Sequence, residues 1–293
     1  MMMRDQAERL RQLAKKNIDD LSRSETRVIA VASGKGGVGK TNFTVNLALA
    51  LQKAGKKIIV FDADLGMANI DVVLGVVPSF TLTHVIKGQK TLEEIMLDGP
   101  EGIKILPGSS GSEELVYLSD QQIQNLIRQW NNLEGEFDYI LVDTGAGIHS
   151  NVINFLLAAD DVVVILTPEP PSITDSYGLI KVLVQRGSTS TIRLVINQVS
   201  NEEEGRKIFR RVAKVVDEFL NVKIDLLGII TFDEKVSAAV KRQKPFILEY
   251  PNTKASKGIY SIVDNLLNQS PKKAGGGMKK FLLKMIKFFN SSS

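Results

Sequence analysis

The sequence contains no cysteine and only two histidines, His84 and His149, among 293 residues. Disulfides, thiolate zinc sites, iron–sulfur ligation and cysteine nucleophiles are therefore excluded, as is a histidine metal cage. Aromatic residues make up only 6% of the chain, and no run of eighteen apolar residues is present that could cross a bilayer. The first residues, MMMRDQAERLR, lack the apolar segment of a secretion signal, so we expect a soluble cytoplasmic protein.

Acidic residues are absent from the end of the chain. Six lysines and no aspartate or glutamate follow Asp264, so the net charge of +4 leaves −2 for residues 1–264. A protein that holds DNA on its globular surface normally shows the reverse distribution of charge. The body is mildly acidic, and we expect no specific binding to nucleic acid.

Short runs rich in valine, isoleucine and leucine alternate with longer amphipathic stretches. The runs are nearly continuous in apolar character, which is typical of strands covered on both faces. We expect strands at residues 28–33, 57–62, 103–106, 139–143, 162–167, 193–197 and 226–230, and helices at 41–54, 120–130, 172–184, 205–220 and 254–267. This alternation predicts a doubly wound α/β fold, with a mostly parallel sheet and helices on both faces.

Residues 34–41 read GKGGVGKT and lie between a predicted strand and a predicted helix. This is the G-x-x-x-x-G-K-[ST] pattern of a phosphate-binding loop in its required context. The glycines allow backbone N–H groups to curl around phosphate oxygens, and the helix directs its positive end at the same anion. Lys40 is expected to reach the β and γ phosphates, and the Thr41 hydroxyl to bind Mg²⁺.

Lys35 is a second lysine in this loop, which ordinary phosphate binding does not need. With it, residues 27–268 resemble the deviant Walker A ATPases, the P-loop group that contains MinD, ParA and the nitrogenase iron protein. In that family the early lysine reaches the phosphates of a partner subunit, so the resemblance implies an ATP-dependent homodimer. The branches that bind iron–sulfur clusters are excluded because cysteine is absent. The resemblance implies nucleotide contacts from Gly34, Lys35, Gly36, Gly37, Val38, Gly39, Lys40, Thr41 and Asn42.

Three aspartates at predicted strand ends match acidic positions of the family. The second aspartate of Asp62-Ala63-Asp64 corresponds to the one that aligns the attacking water, so Asp64 is expected to be catalytic together with Lys35 and Lys40. Asp62 is expected to lie near the metal, and Asp143 to hold Mg²⁺ through a water molecule. Phosphoryl transfer depends mainly on positioning and charge neutralisation, for which this set is sufficient.

The segment Thr-Gly-Ala-Gly at 144–147 departs from the family, which usually has proline where this chain has Gly145. Gly147 is expected to present its N–H to a γ phosphate. The resemblance further implies that Asn197 reads the adenine edge and that Phe232 and Asp233 pack against and hydrogen-bond the base. By the same resemblance, Glu169 and Asp175 lie in a segment that matches the dimer interface.

Residues 278–290 form an amphipathic helix on a helical wheel. At 1.5 Å per residue it is about 20 Å long, too short to span a bilayer but suited to lie in an anionic membrane surface. Two such helices in a dimer would bind with avidity, so we expect peripheral membrane binding in the ATP state. Docking on the chain's own domain, a partner groove and DNA remain alternatives. The membrane-binding residues are predicted to be Phe281, Leu282, Met285, Ile286, Phe288 and Phe289.

The first residues resemble the D-Q-A-x-x-L-R motif of the flagellar branch of this family, FlhG (FleN or YlxH). There the N-terminal helix engages the GTPase FlhF and stimulates its hydrolysis, and other contacts are made to the flagellar switch complex, the C-ring. The resemblance implies that the partner-binding residues are Asp5, Gln6, Ala7, Leu10 and Arg11.

These observations predict four segments: a partner-binding helix and linker at 1–26, a MinD-like ATPase domain at 27–268, a flexible linker at 269–277 and a membrane helix at 278–290. The predicted function is that of an ATPase that dimerises with ATP and controls the placement or number of flagella. The alternatives are a septum-site ATPase of MinD type, a DNA partition ATPase of ParA type and a metabolic P-loop kinase.

Overall fold

The fold is that of a computed structural model, which describes residues 26–64, 70–108, 119–268 and 277–290. The predicted partner-binding residues Asp5, Gln6, Ala7, Leu10 and Arg11 lie outside this part of the chain. The expectation of a mostly parallel α/β sheet is confirmed. Within the described residues, eight strands form one sheet in the order β3-β4-β2-β5-β1-β6-β7-β8, with helices on both faces, and only β3 runs antiparallel to its neighbour.

The helices and strands follow the predicted alternation. The strands are β1 Arg27–Ala32, β2 Ile58–Ala63, β3 Leu97–Asp98, β4 Lys104–Leu106, β5 Tyr139–Thr144, β6 Asp161–Leu166, β7 Thr191–Val199 and β8 Asp225–Thr231. The first helices are α1 Lys40–Lys53, α2 Ile70–Leu74, α3 Leu82–Ile86, α4 Leu92–Ile95, α5 Asp120–Leu133 and α6 Ser150–Ala158. The later ones are α7 Pro170–Gln185, α8 Glu202–Leu220, α9 Glu234–Lys241, α10 Phe246–Glu249, α11 Lys254–Asn268 and α12 Gly277–Asn290.

The strand order places the ends of β1, β2 and β5 side by side. In the parallel register, Asp62 lies opposite Asp143, and Val31 lies opposite Asp143 on the other side of β5. Because the carboxyl ends of parallel strands meet at one edge of the sheet, the loops that follow them share one cleft. The phosphate loop and the predicted aspartates are therefore brought together by topology.

Two apolar cores cover the two faces of the sheet. One is formed with α1, α10 and α11, and the other with α5, α6, α7 and α8. Strands β1, β2, β5 and β6 are almost wholly buried, which explains their uninterrupted apolar sequences. Among the described residues, no helix combines the length and the apolar character required to cross a membrane.

Helix α12 joins the second core, which is the alternative of docking on the chain's own domain. Met278, Phe281, Leu282 and Met285 are at most 2% exposed and pack among the residues of α5 and α6. Phe288 packs against the same core and is partly buried. The face that suits a bilayer also suits this apolar groove, since burial of each large side chain contributes about 1.5–3 kcal/mol in either place. The side chains of Ile286 and Phe289 lie outside the described part.

Two contacts fix the start of α12 and its packing against α5. The carboxylate of Glu134, just after α5, accepts a hydrogen bond from Met278 N (2.7 Å) on one oxygen and from Thr26 N (3.1 Å) on the other. The ring of Phe281 lies 6.4 Å from that of Trp130, measured between centroids. One acidic side chain therefore satisfies backbone donors from both ends of the described chain.

Candidate nucleotide-binding site

The phosphate loop lines a cleft of about 810 Å³ at the carboxyl edge of the sheet. Gly36, Gly37, Gly39, Lys40, Thr41 and Asn42 line this cleft from one side, and Asp64, Gly145, Ala146 and His149 from the other. Helix α1 starts at Lys40, so its unpaired N–H groups and positive dipole lie at the phosphate loop. The predicted strand–loop–helix context is thus present, and its geometry suits an anion.

Two glycines of the loop are required by close contacts. A side chain at Gly34 would begin 2.2 Å from the carbonyl carbon of Asp175 on α7, so the loop's first turn rests directly on that helix. Gly39 has a φ of 91° and its Cβ would lie 2.8 Å from the side-chain nitrogen of Asn197. Both positions therefore exclude any larger residue.

Asp143, at the end of β5, accepts hydrogen bonds from three side chains. Its Oδ2 accepts a hydrogen bond from Thr41 Oγ1 (2.6 Å), and its Oδ1 accepts bonds from Lys40 Nζ (3.2 Å) and Thr44 Oγ1 (3.1 Å). The side chain is fully buried, and burial raises the pKa of the Asp143 carboxyl above its usual value in spite of these donors. Thr44 was not predicted from the sequence, although its position one helical turn after Lys40 is a signal that could have identified it.

Asp62 and Asp64 have different surroundings. Asp62 is buried, and its two oxygens accept the backbone N–H groups of Asp64 (3.2 Å) and Ile70 (3.3 Å), so it binds the backbone just after β2 and at the start of α2. Asp64 lines the cleft, and its Oδ1 lies 3.5 Å from the point where a side chain at Gly145 would begin. The residue predicted to align water therefore faces the phosphate loop across the cleft.

Mg²⁺ suits the groups present at this edge. The described residues contain no cluster of three or more acidic or histidine ligands that could bind a metal without help. Mg²⁺ usually binds one or two protein oxygens and takes its remaining ligands from phosphates and water. The Thr41 hydroxyl and the Asp143 carboxylate, 2.6 Å apart, provide such a pair beside the phosphate loop.

Lys35 forms an ion pair within its own chain. Its Nζ lies 2.7 Å from Oε2 of Glu169, and the two side chains are 42% and 62% exposed. Gly147, which was expected to bind phosphate, instead donates its N–H to the carbonyl of Ser33 (2.9 Å). Both groups would have to exchange these partners to contact a phosphate.

A second cleft of about 400 Å³ continues from the first on the other side of Gly37 and Gly39. Asn197, Phe232 and Asp233 line it together, as expected for a base pocket. Asn197 donates to the Val38 carbonyl (2.8 Å) and accepts from Gln198 N (2.9 Å), so it also joins this pocket to the phosphate loop.

Helix α9 begins in the same pocket. The Asp233 carboxylate accepts the N–H of Lys235 (3.0 Å) at the start of this helix. Phe232, just before it, leaves 58% of its surface exposed and therefore presents an apolar face at the pocket's rim.

Comparisons with known proteins identify the family. The sequence profile of the ParA family, described as "NUBPL iron-transfer P-loop NTPase", matches residues 24–267. Antiactivator FleN of Pseudomonas aeruginosa is 42% identical over 82% of this chain and 86% of its own length. Flagellum site-determining protein YlxH of Helicobacter pylori is 35% identical over 91% of this chain and 92% of its own length.

A solved structure shares the fold. The septum site-determining protein MinD of Pyrococcus horikoshii, complexed with Mg-ADP, has a TM-score of 0.67 and is 26% identical over 83% of this chain and 96% of its own. The profile's description names iron transfer, but no cysteine is present here to supply thiolate ligands. The phosphate loop, the doubly wound sheet and these relatives agree, and the chain belongs to the ParA/MinD family of P-loop NTPases.

Proposed function

We propose that this protein is an ATPase that dimerises with ATP, binds the membrane surface in that state and regulates the placement or number of flagella. The observation that carries the ATPase is the arrangement of Lys40 and Thr41 around the buried carboxylate of Asp143 beside the phosphate loop. The similarity to FleN and YlxH supports the flagellar role.

In the proposed reaction, ATP lies with its phosphates on the loop and its adenine in the pocket of Asn197, Phe232 and Asp233. Lys40 would contact the β and γ phosphates, and Lys35 would leave Glu169 to reach the phosphates of a partner subunit. Asp64 would orient the attacking water, since it is the cleft carboxylate that faces the loop. Mg²⁺, when bound near Thr41 and Asp143, neutralises the charge of the phosphate oxygens.

Hydrolysis is tested with purified full-length protein and an Asp64→Ala variant. We expect slow release of phosphate by the wild type, and retained ATP binding with at least a hundredfold slower release by the variant. Asp217→Ala is the control, because Asp217 is an exposed carboxylate on α8 that lines neither cleft. Turnover by Asp64→Ala at the rate of the wild type would show that this carboxylate does not orient the water.

Membrane binding requires α12 to leave its groove. The helix carries one apolar face, and this face is covered by α5 and α6 in the described fold. We propose that the ATP dimer favours the released helix, so that membrane and groove compete for the same side chains. Lys279 and Lys280 are exposed and would meet anionic headgroups.

The protein's single tryptophan gives a direct test. Trp130 is 1% exposed and packs on Phe281, so release of α12 should shift its fluorescence emission to longer wavelength. We expect co-sedimentation with anionic liposomes and this shift with ATP, and neither with ADP. A chain that ends at Gly277 should not sediment. Sedimentation with ATP without any change in Trp130 emission would assign membrane binding to another surface.

Flagellar and septal functions differ in what they require of residues 1–26. If the flagellar proposal is correct, the protein stimulates GTP hydrolysis by FlhF, and Gln6→Ala abolishes this effect without changing ATP hydrolysis. Similarity to septum site-determining MinD keeps the septal function as the second candidate. Deletion of residues 1–25 with no effect on flagella and a defect in division would favour it. Binding of the C-ring is tested by pull-down with switch-complex proteins.

A further inference from the structure

Three side chains donate hydrogen bonds to the buried carboxylate of Asp143. Nucleotide binding would affect two of these donors and not the third. Lys40 and Thr41 belong to the phosphate loop, and the proposed function assigns their Nζ and hydroxyl to the phosphates and to Mg²⁺. Thr44 lies one turn further along α1 and is 0% exposed, so it cannot reach a ligand in the cleft. A bound nucleotide would therefore leave the Thr44 hydroxyl free to donate to Asp143.

Thr44 has one hydroxyl proton and two acceptors within reach. Its Oγ1 lies 3.0 Å from the carbonyl of Lys40 and 3.1 Å from Oδ1 of Asp143. The carbonyl already accepts the backbone N–H of the helix, so it loses little if the hydroxyl turns away. A carboxylate is the stronger acceptor, and a buried one left without a donor is costly.

We infer that Thr44 is a positioning residue for the nucleotide-loaded site, an inference that rests on the proposed function. When Lys40 turns to the phosphates, the proton of Thr44 stays on Oδ1 of Asp143. The carboxylate then keeps its orientation, with Oδ2 directed at the hydroxyl of Thr41. Thr44 thus acts on metal-dependent binding through Asp143, and it touches neither nucleotide nor metal.

The test compares Thr44→Val, which keeps the shape, with Thr44→Ser, which keeps the hydroxyl. Affinity for a fluorescent ADP analogue is measured in Mg²⁺ and in EDTA, together with the thermal midpoint of the free protein. Ser256→Ala is the matched control, since Ser256 is equally buried on α11 and its hydroxyl bonds only outside the cleft, to the Tyr250 carbonyl and the Thr253 hydroxyl. Thr44→Val should fold, because Lys40 and Thr41 still hold Asp143 in the free protein.

We expect Thr44→Val to bind the analogue as tightly as the wild type in EDTA. The gain in affinity on adding Mg²⁺ should be about tenfold smaller for Thr44→Val than for the wild type. Thr44→Ser should recover the gain in affinity that the wild type shows on adding Mg²⁺, and Ser256→Ala should change only the thermal midpoint. Equal Mg²⁺ tightening in the wild type and Thr44→Val would overturn the positioning role and leave the ATPase proposal intact. Failure of Thr44→Ser to recover it would also overturn the role. A wild-type protein that binds no adenine nucleotide would overturn both proposals.

Discussion

At the scale of single residues, Lys35 forms an ion pair within its own chain, which it would have to break to reach the phosphates of a partner subunit. The lysine and Glu169 are both largely exposed, and pairs of this kind contribute about 0–1 kcal/mol. The ion pair is therefore weak enough to be exchanged for a contact with phosphate, which is a stronger acceptor. A mutation that removes either side chain should leave the fold unchanged.

Lys35→Ala and Glu169→Ala remove the same ion pair but have opposite expected results. Lys35→Ala should bind ATP as a monomer and fail to dimerise, because the charge that reaches across the interface is lost. Glu169→Ala should dimerise at least as readily as the wild type, since its lysine is free. Light scattering with a non-hydrolysable ATP analogue distinguishes them. A normal dimer of Lys35→Ala would remove the cross-subunit role of this lysine.

At the scale of helices and strands, α12 is held by a small set of apolar contacts. Phe281 packs on Trp130 and is 1% exposed, whereas Leu283, two positions further, is 45% exposed. Phe281→Ala should therefore weaken docking by about 3–5 kcal/mol, and Leu283→Ala by less than 0.5 kcal/mol. The expected result for Phe281→Ala is a red-shifted Trp130 emission and faster proteolysis of α12. An unchanged emission spectrum would mean that this contact does not hold the helix.

The sequence predicted the long elements well because each carried a strong pattern. All seven expected strands are present, and the phosphate loop was identified from eight residues. Strand β3 was missed because two residues, Leu97 and Asp98, carry no periodicity. Helix α6 was missed because its residues are apolar on nearly all sides and almost wholly buried, which leaves no amphipathic signal.

What covers α12 could not be predicted from its own sequence. An amphipathic helix with one apolar face fits a membrane and a protein groove equally well. The deciding information lies in the groove, whose residues come from α5 and α6, far earlier in the chain. Similarly, the pairing of Lys35 with Glu169 joins residues 134 positions apart. Contacts of this kind depend on the folded sheet, and no local pattern encodes them.

At the scale of the whole molecule, α12 completes one of the two cores, and its removal should lower the stability of the domain. A chain that ends at Asn268 leaves the groove of α5 and α6 open to water. We expect a thermal midpoint lower by several degrees and binding of a hydrophobic dye. A synthetic peptide of residues 277–290 should reverse both effects, whereas the same peptide with Phe281→Glu and Met285→Glu should not. An unaltered midpoint with no dye binding would mean that α12 adds nothing to the core.

The double use of Glu134 has a geometric consequence. Thr26 N and Met278 N bind the two oxygens of one carboxylate, so Thr26 and the start of α12 lie at the same corner of the molecule. The point at which the described chain begins is therefore beside the point at which the helix would leave the body. If the released helix lies in the lipid surface, Thr26 is brought to that same patch of membrane. The position of one glutamate would then determine which corner of the domain faces the lipid.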